Sequence, residues 1–120
     1  MSKTFAVTNA RTGKDLATHA RSADNFWTRF WGLMGVKELP AGSGLVIVPC
    51  NSIHCFGMKI VIDAVFISRE GEVLHLIPDM KPGRVSPLVR KSRGVIELPA
   101  GSIAASETTV GDRLILGMAL

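Results

Sequence analysis

Ile60-Val61-Ile62-Asp63-Ala64-Val65-Phe66-Ile67 is the stretch on which the fold turns. Seven of its eight side chains are apolar, and most are β-branched or aromatic, the types that fit a pleated surface. A short unbroken apolar run of this kind reads as a strand covered on both faces, not as one wetted on one side. Immediately after it, Arg69-Glu70-Gly71-Glu72 supplies a turn, and Val73-Leu74-His75-Leu76-Ile77 returns as a hairpin partner.

The pattern repeats outward from this hairpin. Leu45-Val46-Ile47-Val48 is a short buried strand stopped by Pro49, and Gly94 to Leu98 and Asp112 to Leu116 are further strands. Phe5 and Val7, with Asn9, alternate with polar neighbours as a half-buried strand does. Asn9 to Lys14 is a turn, from which Leu16 to Ala20 returns. Ser102 to Glu107 makes one helical turn. The chain is therefore expected to be mainly β, a small barrel-like or folded antiparallel or mixed sheet.

One departure is expected near the N-terminus, a short helix over about residues 23–34. Ser22 is its N-cap, Asp24 favours its dipole, and Gly35 ends it. Phe26, Phe30 and Leu33 form its apolar stripe, with Trp27, Trp31 and Met34 beside them as core aromatics and thioether. The 120 residues, 47% of them apolar, suit a single domain spanning 1–120.

Charge is modest, with a formal net value of +4. Much of the excess lies in Lys81, Arg84, Arg90, Lys91 and Arg93, a run without an acid. No aromatic residue is interleaved there for base stacking, so a solvated loop fits better than a nucleic-acid contact. No stretch reaches the roughly 18 consecutive apolar residues of a membrane helix, and the first nine residues lack a secretory apolar run. A cytoplasmic location is expected, with Cys50 and Cys55 as reduced thiols.

Cys50-Asn51-Ser52-Ile53-His54-Cys55-Phe56-Gly57-Met58-Lys59 differs in kind from its surroundings. Two thiols, an imidazole, an amide and a thioether are set between two apolar strands, where rigid frames display binding groups. Asp63 follows inside the apolar run, and a carboxylate there must be bonded, paired or turned to a cleft. Asn51, His54, Met58 and Asp63 are therefore the candidate ligand-binding residues, for a small ligand or a peptide. The alternative role for Asp63 is to accept backbone N–H bonds and hold the loop shut.

Metal and thiol chemistry are weaker readings. Cys50, His54 and Cys55, with Met58, carry donors that suit zinc or copper. Cys-x4-Cys has no second paired motif, however, and neighbouring His54 and Cys55 face opposite sides of an extended backbone, so no metal or other cofactor is expected. Cys55 as a nucleophile would need a base, His54, His19 or His75, and an orienting group such as Asp63.

The residues that carry a family resemblance are Trp31-Gly32-Leu33-Met34-Gly35, Gly44-Leu45-Val46-Ile47 and Ile53 through Ile67. Val95-Ile96-Glu97-Leu98-Pro99-Ala100-Gly101 and Gly111-Asp112-Arg113-Leu114 complete them. In this order, from about Trp27 to the C-terminus, the chain resembles the domain-of-unknown-function 192 family. The resemblance implies a small, mostly β, barrel-like fold with a short N-terminal helix. It implies no established reaction, cofactor or substrate, and its members are often exported. Met58, Asp63, Phe66, Glu97, Gly101, Gly111 and Asp112 match its signature positions. Bottom-up, Glu97 and Asp112 read as turn or edge residues, with an arginine of the basic segment as a second option for Glu97.

Gly35 to Ser43 also echoes Gly94 to Ser102, differing only at Lys37 and Ile96. With no third copy, this is a pair of similar Pro-Ala-Gly turns and not a solenoid. The function expected from these features is a non-catalytic binding or accessory module centred on residues 51–63. The alternative is a small hydrolytic or thiol-based enzyme using Cys55, His54 and Asp63.

Overall fold

The computed structural model describes residues 4–23, 39–52, 60–118 and 120. Its strands are β1 (Phe5–Asn9), β2 (Asp15–Ala23), β3 (Ser43–Ile47), β4 (Ile62–Ile67), β5 (Val73–Met80), β6 (Gly94–Pro99) and β7 (Leu114–Leu116). One short helix, α1 (Ser102–Ser106), lies between β6 and β7. The strands form a single curled sheet in the order β5-β4-β6-β3-β2-β1-β7, a half-barrel. Only β2 and β3 pair in parallel, and the remaining neighbours are antiparallel. The fold is thus mainly β with a mixed sheet, as the strand pattern implies.

All six residues of β4 are buried, which accounts for its unbroken apolar run. Val65 and Ile67 face one cluster with Val7, Leu16, Ala20, Val46, Val73, Ile96, Leu98, Ile103 and Leu114. Ile62, Ala64 and Phe66 face a second, with Ile60, Met80 and Val95. Two cores therefore share this one strand, and period-2 alternation vanishes from its sequence because neither face meets water.

Several boundaries differ from the sequence-based expectation. Ser22 and Ala23 do not begin a helix. They continue β2, in register with Val46 and Ile47 of β3. A ladder of tertiary hydrogen bonds has overridden the local capping preference of serine. The rest of the expected helix, including Trp27 and Trp31, lies outside the described residues. β4 starts at Ile62 and not at Ile60, and β5 runs past Ile77 to Met80. Its Pro78 is tolerated because β5 is an edge strand, where a missing N–H need not break the ladder.

The two Pro-Ala-Gly turns have the same local geometry. Gly42 and Gly101 both have positive φ, 82° and 95°. Ser43 Oγ donates to the Pro40 carbonyl at 2.7 Å, and Ser102 Oγ donates to the Pro99 carbonyl at 2.6 Å.

The sheet's two edges, β5 and β7, meet at one end. Glu72 bridges Arg113. Val73 N donates to the Asp112 carbonyl at 2.7 Å, Gly111 N to the Val73 carbonyl at 2.8 Å, and Leu114 N to the Gly71 carbonyl at 2.8 Å. Gly71 is required at this seam. Its φ is 87°, and a Cβ placed there would lie 2.5 Å from the Leu114 carbonyl oxygen. Gly83 has a similar φ of 84° but nothing within 4 Å. Gly71→Ala is expected to cost about 2–4 kcal/mol, combining left-handed strain with a backbone clash. Gly83→Ala should cost about 1 kcal/mol, the strain alone. Urea denaturation of the two variants checks the difference, and equal midpoints would remove Gly71 from the seam.

Candidate functional site

Asp63 sits on β4 with no solvent exposure. Its Oδ1 accepts the Asp79 N–H at 2.9 Å, and its Oδ2 accepts the Ile103 N–H at 2.8 Å. The second bond completes a helix start. The N-cap of α1 is Gly101, which has no side chain to offer, so Asp63 supplies the missing acceptor from another element. The first bond holds β5 where its register with β4 shifts, at Asp79, whose φ is 52°. Two charge-assisted bonds offset the desolvation of this carboxylate.

Asn51 lies on the surface, and its main-chain carbonyl, not its side-chain amide, accepts the Val89 N–H at 2.8 Å. Asn51 and Asp63 thus bind opposite ends of the Asp79–Val89 segment. His54, Cys55 and Met58 lie outside the described residues. Cys50 is half-buried against the second core, and its Sγ donates to the Ser52 carbonyl at 3.1 Å. Among the described residues, no group of three His, Cys, Asp or Glu could hold a metal ion. His19, on exposed β2, has Nδ1 3.0 Å from Thr18 Oγ1. His75 pairs in register with Phe66, their rings 5.8 Å apart and tilted by 59°.

The segment held by Asn51 and Asp63 borders a groove of about 510 Å³. One wall is β5 from His75 to Met80, and the other is formed by Lys81, Arg84, Val85 and Pro87. This volume falls within the ~300–1,000 Å³ usual for ligand sites. The basic run was visible in the sequence as charge, but its apposition to β5 was not. That apposition depends on a bulge and on two distant hydrogen bonds.

The remaining signature positions have defined places. Phe66 is fully buried in the second core. Glu97 is not an edge or turn residue. It is 5% exposed in β6, between Leu45 of β3 and Ala64 of β4. The edge expectation followed from its charge, whereas the sheet order puts its strand near the middle. Gly111 has a φ of 96° and leads into Asp112, which precedes β7.

Asp112 forms a latch that sequence inspection did not reveal. Its carboxylate accepts Arg11 Nε at 2.7 Å, Asn9 Nδ2 at 2.9 Å and the Thr109 N–H at 2.8 Å. Asn9 is fully buried. Its Nδ2 also reaches Thr108 Oγ1 at 3.1 Å, while its Oδ1 accepts the Arg11 and Thr12 N–H groups. Lys14 pairs with Glu107 nearby. The available signal was Asn9 at the head of a Gly13 turn, an Asx-turn arrangement. Its partner lies about a hundred residues away, beyond any local pattern. The Arg11 guanidinium holds the Asp112 carboxyl well below the usual carboxylate range against the opposing effect of burial, aided by Asn9 and Thr109.

A curled mixed half-barrel with a carboxylate-capped helical turn and a groove along one edge strand defines the class. Over residues 7–116 the chain matches the DUF192 family, described as uncharacterized ACR, and it belongs to that family. A UPF0127 protein of Pyrococcus furiosus is 35% identical over 111 residues, covering 88% of this chain and 93% of that protein. Two crystal structures share the fold. A protein of unknown function from Novosphingobium aromaticivorans has a TM-score of 0.79 at 19% identity, over 95% of this chain and 84% of that one. A protein titled a putative transcription regulator, from Sinorhizobium meliloti, has a TM-score of 0.74 at 20% identity, over 97% and 94%.

Asp63→Ala leaves the buried Ile103 N–H unsatisfied and frees the part-buried Asp79 N–H, and is expected to cost about 1–3 kcal/mol. Asp63→Asn should cost less, since one oxygen still accepts. Chemical denaturation, read with the amide shifts of Asp79 and Ile103, tests the assignment, and unmoved amides would refute it. The latch makes a separate pH prediction. A carboxyl held below its unfolded value of about 3.9 binds fewer protons when folded. Its stabilisation is complete above about pH 5 and is lost as pH falls below that. The stability difference between the native chain and Arg11→Ala should therefore be larger at pH 6 than at pH 3 in urea titrations. A constant difference would count against the latch.

Proposed function

We propose that this protein is a non-catalytic binding module whose site is the groove between β5 and the Lys81–Pro87 segment. The observation that carries the proposal is the paired anchoring of that segment. Asp63 holds it at Asp79, and Asn51 holds it at Val89. Two of the four residues singled out from the sequence act as supports for a concave surface lined by apolar, basic and acidic side chains. His54 and Met58 are carried into the proposal from the sequence reading alone and lie outside the described residues. The proposed ligand is a small molecule or peptide, met in the cytoplasm.

A thiol enzyme using Cys55, His54 and Asp63 is less well supported. Asp63 has no solvent exposure and spans two backbone N–H groups, which supports a structural role for it over the orienting of a catalytic imidazole. The regulator-like title of the Sinorhizobium meliloti structure is attached to a protein sharing only the fold, and the mixed charge of the groove gives it no support here.

A fragment screen on the isotope-labelled chain, read by amide chemical shifts and thermal stabilisation, tests the proposal. Hits should move amides between Val73 and Val89, and His54→Ala or Met58→Ala should weaken them about three- to tenfold without lowering the melting temperature by more than a few degrees. Hits that map only elsewhere would overturn it.

A further inference from the structure

We infer that the occupant of this groove is an extended acidic peptide that adds a short strand to the outer edge of β5. The inference rests on the binding-module proposal and names its partner. Three observations lead to it.

β5 is the terminal strand of the sheet. Its outer edge is used at Val73, where the strand meets Gly111 and Asp112, and no further strand pairs with it beyond that point among the described residues. An edge with unused N–H and C=O groups is a template for an incoming strand. Pro78 and the turned backbone at Asp79 limit that template to Leu74–Ile77.

The side chains around this edge are half-apolar. Leu74, Leu76 and Ile77 are only partly buried. Val85, on the facing segment, is 71% exposed, and Leu88, just beyond the wall, is 68% exposed. A strand laid beside β5 presents alternate side chains to such a surface.

Charge selects the remaining positions. Lys81 and Arg84 line the groove and, among the described residues, neither forms an ion pair. Arg90 and Lys91 continue the same acid-free run. Carboxylates on the incoming strand complement them. Asp79, the one acid in the lining, interrupts the positive field, which favours separated carboxylates over a continuous polyanion such as nucleic acid.

The experiment titrates the labelled full chain with a blocked peptide of alternating glutamate and valine. Its controls are the lysine counterpart and a single-stranded oligothymidylate. The acidic peptide should shift amides from Leu74 to Val85 and slow hydrogen exchange along β5. Its affinity should fall at least about tenfold in half-molar salt and about tenfold in Lys81→Glu/Arg84→Glu. Both substituted residues are exposed, so that variant should keep the native spectrum elsewhere. Equal binding of the lysine peptide, tighter binding of the oligonucleotide, or shifts centred on β7 would overturn the inference. Should the peptide fail while fragments still map to the groove, the inference falls and the binding-module proposal stands. Failure of both removes both.

Discussion

The structure depends on one buried carboxylate. Asp63 lies on β4, between the edge strand β5 and β6, and its side chain bonds outside the regular ladder of either pairing. Its two oxygens reach a bulge in β5 and the first turn of α1. These segments are separated in sequence, and Asp63 ties both to one strand. An apolar residue at this position would leave one buried and one part-buried N–H unmet, and an amide oxygen would satisfy only one of them. The oxygens are therefore spent on architecture, and the groove inherits its shape from them.

The second organising constraint is closure. A curled sheet with seven strands has two edges to manage. Here they are joined at one end by Glu72–Arg113 and by the bonds of Val73 and Leu114. The Asn9–Arg11–Asp112 latch fixes the loop that makes this possible, because Asp112 offers its backbone carbonyl to Val73 while its carboxylate is held by Arg11. A side-chain ion pair thus positions a main-chain contact between two strands that never pair along their length.

Much of this fold was legible in the sequence, for identifiable reasons. The β4–β5 hairpin is encoded locally by an apolar run, a Gly71 turn and a return strand. Both Pro-Ala-Gly turns are encoded by glycines that adopt positive φ. Ser22 misled because a serine capping preference is worth less than a parallel ladder with β3. Glu97 misled because charge suggests exposure, whereas sheet order is set by pairings that no local window contains. The site was legible in part. Asn51 and Asp63 stood out as polar groups in an apolar frame, but their anchoring of residues 79–89 depends on tertiary geometry. Arg11 and Asp112 belong to opposite ends of the chain, and nothing near either one signals the other.

A sheet fastened at one end has a built-in gradient of local stability. Near Gly71 and Leu114, opening the wall must break main-chain bonds and an ion-paired loop together. Toward Met80, it must break the ladder with β4 and the bond from Asp79 to Asp63, with no second sheet edge fastened to it among the described residues. Sub-global unfolding therefore begins at the far end of β5 and runs back toward the seam. The seam end of β5 is thus the better fastened of the two, and the end bordering the groove the less.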